Sequence, residues 1–324
     1  MSNNLLIGYL SNYISSFVQE YGVDPRRFSN SLMKESTALL RGLSTRGPTY
    51  PPPSAVEVIQ HAHTRTKAEG IVGSSTACVA LFDGGMNQLH FSNLGDSGII
   101  VLRHIDSDVA GALKRDRNTP RYDRNSDMRA VFVSQQQLHS FNHPYQLGWN
   151  GIKEAEDDEG WVDGKRDGGP LFQYPLFQEA SESCTSSVHL RRGDIVLIAT
   201  DGLFDNVETE DITRLAVQWE NKYGFMKGGD IGREERWKRG KSMAESSAKN
   251  INLLASSLCN LAQEKSLEKG TDSPFAILAK ENDIMWSGGT CVSKVFLSFL
   301  DLFIISPLLV KPCFLFQIIH RNAR

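Results

Sequence analysis

The apolar and polar positions of this chain follow two rhythms. From Gly73 to Arg103 the spacing is that of strands. Thr76–Phe82 is a β-rich run, Asp83–Asn87 a glycine-containing turn and Gln88–Ser92 a second strand. Asn93–Gly98 is a tight corner of small residues, and Ile99–Leu102 a third strand, so the segment reads as an antiparallel meander. A further apolar run, Ile195–Ala199, is bounded by the turn residues Arg191–Asp194 before it and Thr200-Asp201-Gly202 after it, the pattern of a buried strand.

Elsewhere the period is helical. Leu5, Leu10, Ile14, Phe17 and Val18 make a loose apolar face that predicts a helix over 5–18. A second helix starts at Pro25, with Phe28, Leu32 and Leu39 roughly on one side. Ser54 and Glu57 form an S-x-x-E capping box that starts a helix running through His63. Thr209 caps a helix carrying Ile212, Leu215, Ala216 and Trp219, and a longer helix aligns Ala248, Ile251, Leu254, Leu258 and Leu261. Strands and helices come in separate runs, which predicts an α+β fold with antiparallel sheets rather than a doubly wound one.

Three polar stretches, near 106–126, 150–169 and 222–241, read as surface insertions, while Ser134–Gly148 reads as a packed irregular segment. After Gly289 the chain turns strongly apolar, interrupted by Asp301, Pro307, Lys311 and Pro312. No stretch reaches the roughly 20 clean apolar residues of a spanning helix. Three readings of this tail compete: membrane-associated, part of the core, or sequence without an evolved fold.

Composition changes this picture little. A chain of 324 residues with 40% hydrophobic and 23% charged residues has material for a sizeable core. The formal net charge of −3 gives no footprint for nucleic acid or an anionic membrane. Five cysteines without C-x-x-C spacing argue against a disulfide framework or zinc ribbon and fit a reducing compartment. The first residues lack the basic region and cleavage site of a signal peptide and the arginines of a mitochondrial presequence.

The chemistry concentrates at two strand ends. Asp96 and Asp201 each follow an apolar strand beside a glycine, where a carboxylate is costly unless paired, hydrogen-bonded or bound to a cation. Together they suit Mg²⁺ or Mn²⁺, which use few carboxylates and keep several waters. On pattern alone the commoner reading is that each closes a turn through its side chain. Gly73–Thr76 lacks the spacing of a phosphate loop. His61 and His63 lie on different helix faces, Cys184 and His189 lack an activating context, and His139 and His143 read as structural.

The strings GSSTACVALF, HFSNLGDSGIIVLR and GDIVLIATDGLFDNV resemble the metal-dependent protein serine/threonine phosphatases of type 2C. The likeness is to the organellar branch that includes the T-cell-activation phosphatase homologue and its plant relatives. GVDPRRFSNSLM, SQQQLHSFNHPYQLG and SPFAILA match the same branch, so the resemblance covers roughly 22–289. It leaves 1–21 as a divergent N-terminal segment and 290–324 as a non-family tail. It implies a β-sandwich of two antiparallel sheets flanked by helices, with a centre of two or more Mn²⁺ or Mg²⁺ ions at one end. There a metal-activated water hydrolyses phosphoserine or phosphothreonine in phosphoprotein substrates without a phospho-enzyme. By the same resemblance Asp201 is a ligand of the main metal pair and Asp96 belongs to an additional metal position. Gly202, Gly95 and Ser97 stand near the site, Asp205 and Asn206 fix the turn that follows, and the compartment is the mitochondrion or a plastid.

Two of the family's core ligand sources have no counterpart. The early acidic and D-G-x-x-G motifs belong before the GVDP segment, where no Asp-Gly pair stands. The late D-D-I-T-V motif is replaced after Gly288-Gly289 by Thr290-Cys291-Val292; Asp283 and Asp301 do not fit it. The expectation is therefore an incomplete fold, truncated at the front, without its first and last strands. The tail is read as non-coding sequence or a faulty gene model rather than an anchor, and the metal centre as under-ligated. The alternative function is that of a catalytically inactive, phosphoprotein-binding fragment.

Overall fold

The computed structural model describes residues 4–10, 25–45, 52–105, 128–149, 151, 177–191, 194–223, 251–268, 270, 272–286 and 301–304. The strands are β1 (Asn4–Leu10), β2 (Gly73–Asp83), β3 (Gln88–Leu94), β4 (Gly98–His104), β5 (Met128–Val133), β6 (Leu138–Ser140), β7 (His143–Pro144), β8 (Leu147–Trp149), β9 (Cys184–His189), β10 (Ile195–Ala199) and β11 (Asp301–Ile304). The helices are α1 (Pro25–Thr45), α2 (Ala55–Ala68), the single turn α3 (Asp201–Phe204), α4 (Thr209–Tyr223), α5 (251–267) and α6 (Pro274–Glu281).

Two antiparallel sheets carry the fold. The first has the order β1-β2-β3-β9, with β8 also paired to β2; the second has the order β11-β10-β4-β5. Side-chain alternation divides each strand between two layers. On β2, Cys78 and Ala80 face inward and pack with Leu89 and Phe91 of β3 against Ile99, Val101, Val196 and Ile198 of the second sheet. The intervening Ala77, Val79 and Leu81 face outward and meet Phe28 and Leu32 of α1 and Val58, Ile59 and Ala62 of α2. On the far side, Ile100, Leu102, Ile195 and Leu197 meet Ile212, Ala216 and Trp219 of α4 and Leu254, Leu258 and Ala262 of α5. The result is four layers, helices outside a β-sandwich, as the α+β reading expects. Strands covered on both faces read as continuous apolar runs, which is why Ile195–Ala199 has no polar alternation.

The expected meander holds for β2 and β3 and fails for the next strand. β4 pairs with β10 and β5, not with β3, so the Gly95 corner carries the chain from one sheet to the other. Gly95 has φ +106°, and a Cβ there would come within 2.5 Å of Thr76 Cγ2 and 2.7 Å of Tyr145 O. Only glycine allows so sharp a transfer.

Other expectations are corrected too. Of the segment 5–18 expected to be helical, residues 5–10 lie in β1, which pairs with β2 from Asn4 opposite Phe82 to Leu10 opposite Thr76, and 11–18 lie outside the described residues. A short apolar run with a tyrosine satisfies a sheet edge as well as a helix face, and the ladder of β2 decides it. β11 pairs with β10 from Asp301 opposite Ile198 to Ile304 opposite Ile195, so both outer edges that were expected to be missing are filled. Thr209 is the first helical residue of α4 rather than its cap; Glu208 O accepts the amides of Asp211 and Ile212. In α1, Leu40 is buried more deeply than Leu39. Ser54 caps α2 as expected, with the reciprocal Glu57 bond, and the helix runs on to Ala68.

The polar stretches at 106–126, 152–169 and 224–241 lie outside the described residues, while 222 and 223 belong to α4. Of the segment 1–21 and the tail 290–324, only 4–10 and 301–304 are described. No helix among the described residues is long and apolar enough to cross a membrane.

Candidate metal centre

The two acids singled out in the sequence come to the same end of the sandwich. In the ladder between β4 and β10, Gly98 stands opposite Ala199. Asp96 lies two residues before Gly98 and Asp201 two residues after Ala199, so antiparallel register puts both beyond the same sheet end. Both are buried, Asp96 to 8% exposure and Asp201 to 3%. Close approach of the two elements depends on Gly98, where a Cβ would meet Phe204 Cε2 at 2.8 Å.

Asp201 opens α3. Thr200 precedes it in extended conformation, and its hydroxyl accepts the Gly202 amide at 3.1 Å. Asp201 Oδ1 accepts the same amide at 2.7 Å. The turn is closed from behind by Asn206, 1% exposed, whose Nδ2 donates to Gly202 O at 2.9 Å. Asp205 donates its amide to Asp201 O at 2.7 Å and accepts the Phe275 amide at 3.0 Å, tying the start of α6 to the turn. Asp205 and Asn206 thus hold the turn as the resemblance implies.

Around Asp96 the corner is braced by Ser97 and Gly95, which the sequence reading named, and by Asn93, Gln136 and Gln137, to which it gave no role. Ser97 lies 3.2 Å from the Thr76 hydroxyl. Gly95 O accepts the Gln137 amide at 2.9 Å, and Asp96 O accepts from Gln136 Nε2 at 3.3 Å. Asn93 donates to Ser97 O at 2.7 Å. The packed segment Ser134–Gly148 therefore runs along the acidic corner, and its β6–β7 hairpin reaches α6, where the rings of Phe141 and Phe275 lie 5.1 Å apart. Asparagine and glutamine beside a glycine turn carry no spacing signal, so the sequence could not single them out.

Other candidates stay where the sequence put them. His63 is buried in α2 and bonds Gly148 O at 3.0 Å; burial is the main cause holding its pKa below the ordinary imidazole value. Cys184 and His189 stand at opposite ends of β9. Burial pushes the Cys78 thiol up to about 12, which leaves it inert. The backbone of Asp301 begins β11 opposite Ile198, at the same end as Asp201, a placement its position in an apolar tail did not suggest. Asp283 lies just past the end of α6 in a left-handed conformation at φ +57°.

Two buried carboxylates just beyond the ends of two strands offer hard oxygen donors, the type that Mg²⁺ and Mn²⁺ take. Among the described residues, no group of three or more His, Cys, Asp or Glu comes together as a metal site.

A protein phosphatase PTC7 homologue of Drosophila grimshawi is 26% identical over 271 residues, 84% of this chain and 67% of its own length. The human PTC7 homologue is 28% identical over 272 residues, with the same coverage of 84% and 67%. The Danio rerio homologue reaches 32% over 190 residues, 58% of this chain and 49% of its own. The fold agrees with the solved structure of the photosystem II phosphatase PBCP, at a TM-score of 0.54 and 17% identity over 93% of this chain and 90% of that one. The chain resembles the type 2C family of protein phosphatases over most of its length. This is a family of serine/threonine phosphatases, and its α+β sandwich is the one seen here. No family model matches the chain. The chain spans about two thirds or less of the length of these type 2C relatives.

Proposed function

We propose that this protein hydrolyses phosphoserine and phosphothreonine in phosphoprotein substrates, using Mn²⁺ or Mg²⁺ held by Asp201 and Asp96. One observation carries the proposal: two buried aspartates, one just before β4 and one just after β10, share one end of the sandwich in a chain that resembles type 2C phosphatases. When bound, the metal would supply the Lewis acid that activates water and offsets charge on the phosphoryl group. The chain's own contribution is positional. Thr200, Gly202 and Asn206 fix the turn that presents Asp201, and the Gly95 corner presents Asp96. Burial keeps bulk water away from both carboxylates, which strengthens their attraction for a cation. The compartment, mitochondrion or plastid, is proposed on the family resemblance alone.

The test is Mn²⁺-dependent hydrolysis of an aryl phosphate and a phosphothreonine peptide by the intact chain beside Asp201→Asn. Turnover that needs Mn²⁺ and falls at least about a hundredfold in the variant is expected, since the metal's electrostatic contribution is usually the largest. Folded wild type and variant that both fail to turn over would sink the catalytic proposal. Retention of a phosphopeptide in the presence of chelator would then favour the inactive, phosphoprotein-binding reading, which the two-carboxylate donor set among the described residues keeps in view.

A further inference from the structure

The geometry points to Asn93 as the residue that positions Asp96 for cation binding, an inference that rests on the metal reading above. Leu89 and Phe91 of β3 face the core between the sheets, so alternation makes 93 the next inward position, where an apolar side chain would ordinarily sit. Asn93 is instead a fully buried amide. Its backbone is already fixed between Cys78 of β2 and Cys184 of β9, so the side chain is not needed to hold the strand.

That side chain reaches over the corner. Nδ2 donates to Ser97 O at 2.7 Å, Gln135 O at 3.3 Å and Gly95 O at 3.4 Å. Gly95 and Ser97 flank Asp96, so one amide grips the chain on both sides of the carboxylate. Gln136 Nε2 holds the carbonyl of Asp96 itself. With carbonyls of three residues around Nδ2, the amide cannot be turned over without setting oxygen against oxygen. Its Oδ1 is buried and has no hydrogen-bond partner among the described residues. A residue chosen for packing would avoid that orphaned acceptor. A residue chosen to aim the corner accepts it, because the amide nitrogen does the holding.

A consequence for binding follows. Loss of the Asn93 amide should loosen the direction of the Asp96 carboxylate without disturbing Asp201, whose turn is braced separately by Asn206. It should therefore weaken cation binding more than it weakens the fold. Ser92 provides the control: it is equally buried, one residue away, and its hydroxyl bonds Ser183 at 2.5 Å without touching the corner.

The experiment is Mn²⁺ titration of the intact chain followed by electron paramagnetic resonance of the free ion, with thermal unfolding of each variant. Asn93→Ser is expected to weaken Mn²⁺ binding about tenfold, the lower range for partners that orient metal ligands. Ser92→Ala should lose thermal stability to a similar degree and keep wild-type affinity, and Asp96→Asn should lose the Asn93-sensitive part of binding. Folded Asn93→Ser with wild-type affinity, or equal weakening in Ser92→Ala, overturns the inference while leaving the metal reading standing. Wild type that binds no Mn²⁺ overturns both. Should Asn93→Ser not fold, the exposed Gln136→Ala replaces it. Weakening there by a smaller factor supports control of the site through the corner's carbonyls, and unchanged affinity overturns it.

Discussion

His63 shows at the scale of one residue how burial turns into a pH dependence. Its Nε2 lies 3.0 Å from Gly148 O, joining α2 to β8, and its ring meets Phe28 edge-on. Desolvation lowers its pKa; the nearby Lys67 lowers it further, while the Gly148 bond and Glu179 pull the other way. Below its unfolded value of about 6.5, the unfolded chain binds a proton that the folded chain resists, so stability falls with falling pH. The contribution is complete above that value and fades as pH drops toward the folded pKa. Urea unfolding at about pH 7 and about pH 5 should show a smaller loss in His63→Gln than in wild type. Equal losses in the two proteins would mean that His63 does not drive the slope.

The two acids stood out in the sequence because a carboxylate at the mouth of an apolar strand is costly, yet pattern alone favoured turn closure, and only the family resemblance gave them a metal role. Asn93 did not stand out, because an asparagine in a glycine corner is also what an ordinary turn contains. Only its three carbonyl partners in the fold separate the two roles.

At the scale of elements, legibility followed the range of the interaction. The capping box of α2, the apolar face of α4 and the strand β10 are set by neighbours within a few residues, and each formed where expected. The partner of β4 is set by β10, far along the chain, and a short connection to β3 suggested a hairpin that does not exist. The junction between the hairpin β6–β7 and α6 was equally invisible. Phe275 is 6% exposed, 5.1 Å from the Phe141 ring and 5.0 Å from that of Trp286, and its amide bonds Asp205 O behind Asp201. Phe275→Ala should therefore cost about 3–5 kcal/mol, as for other buried aromatics. It should also alter Trp286 fluorescence in the folded state. A variant with wild-type midpoint and unchanged emission would show that α6 is not held through this ring.

At the scale of the molecule, the question is how the tail relates to the sandwich. Its strong apolarity allowed a membrane segment, a core element or unevolved sequence, and composition cannot choose among them. The pairing of β11 with β10 makes four residues of that tail one edge of the sheet that carries Asp201. With β11 in place, β10 is an inner strand between β11 and β4; without it, β10 becomes an edge with unpaired backbone groups beside the acidic end. Removing residues 290–324 should then destabilise the protein by about 2–6 kcal/mol, from a four-residue ladder at roughly 0.5–1.5 kcal/mol per net hydrogen bond. It should also speed amide exchange in Ile195–Ala199 and promote association through the new edge. Urea midpoints and hydrogen exchange on intact and shortened chains measure this directly. Unchanged midpoint and unchanged protection of β10 would remove the tail from the folded core. Loss of vesicle binding on truncation, with the sandwich otherwise intact, would assign the tail to a membrane surface instead.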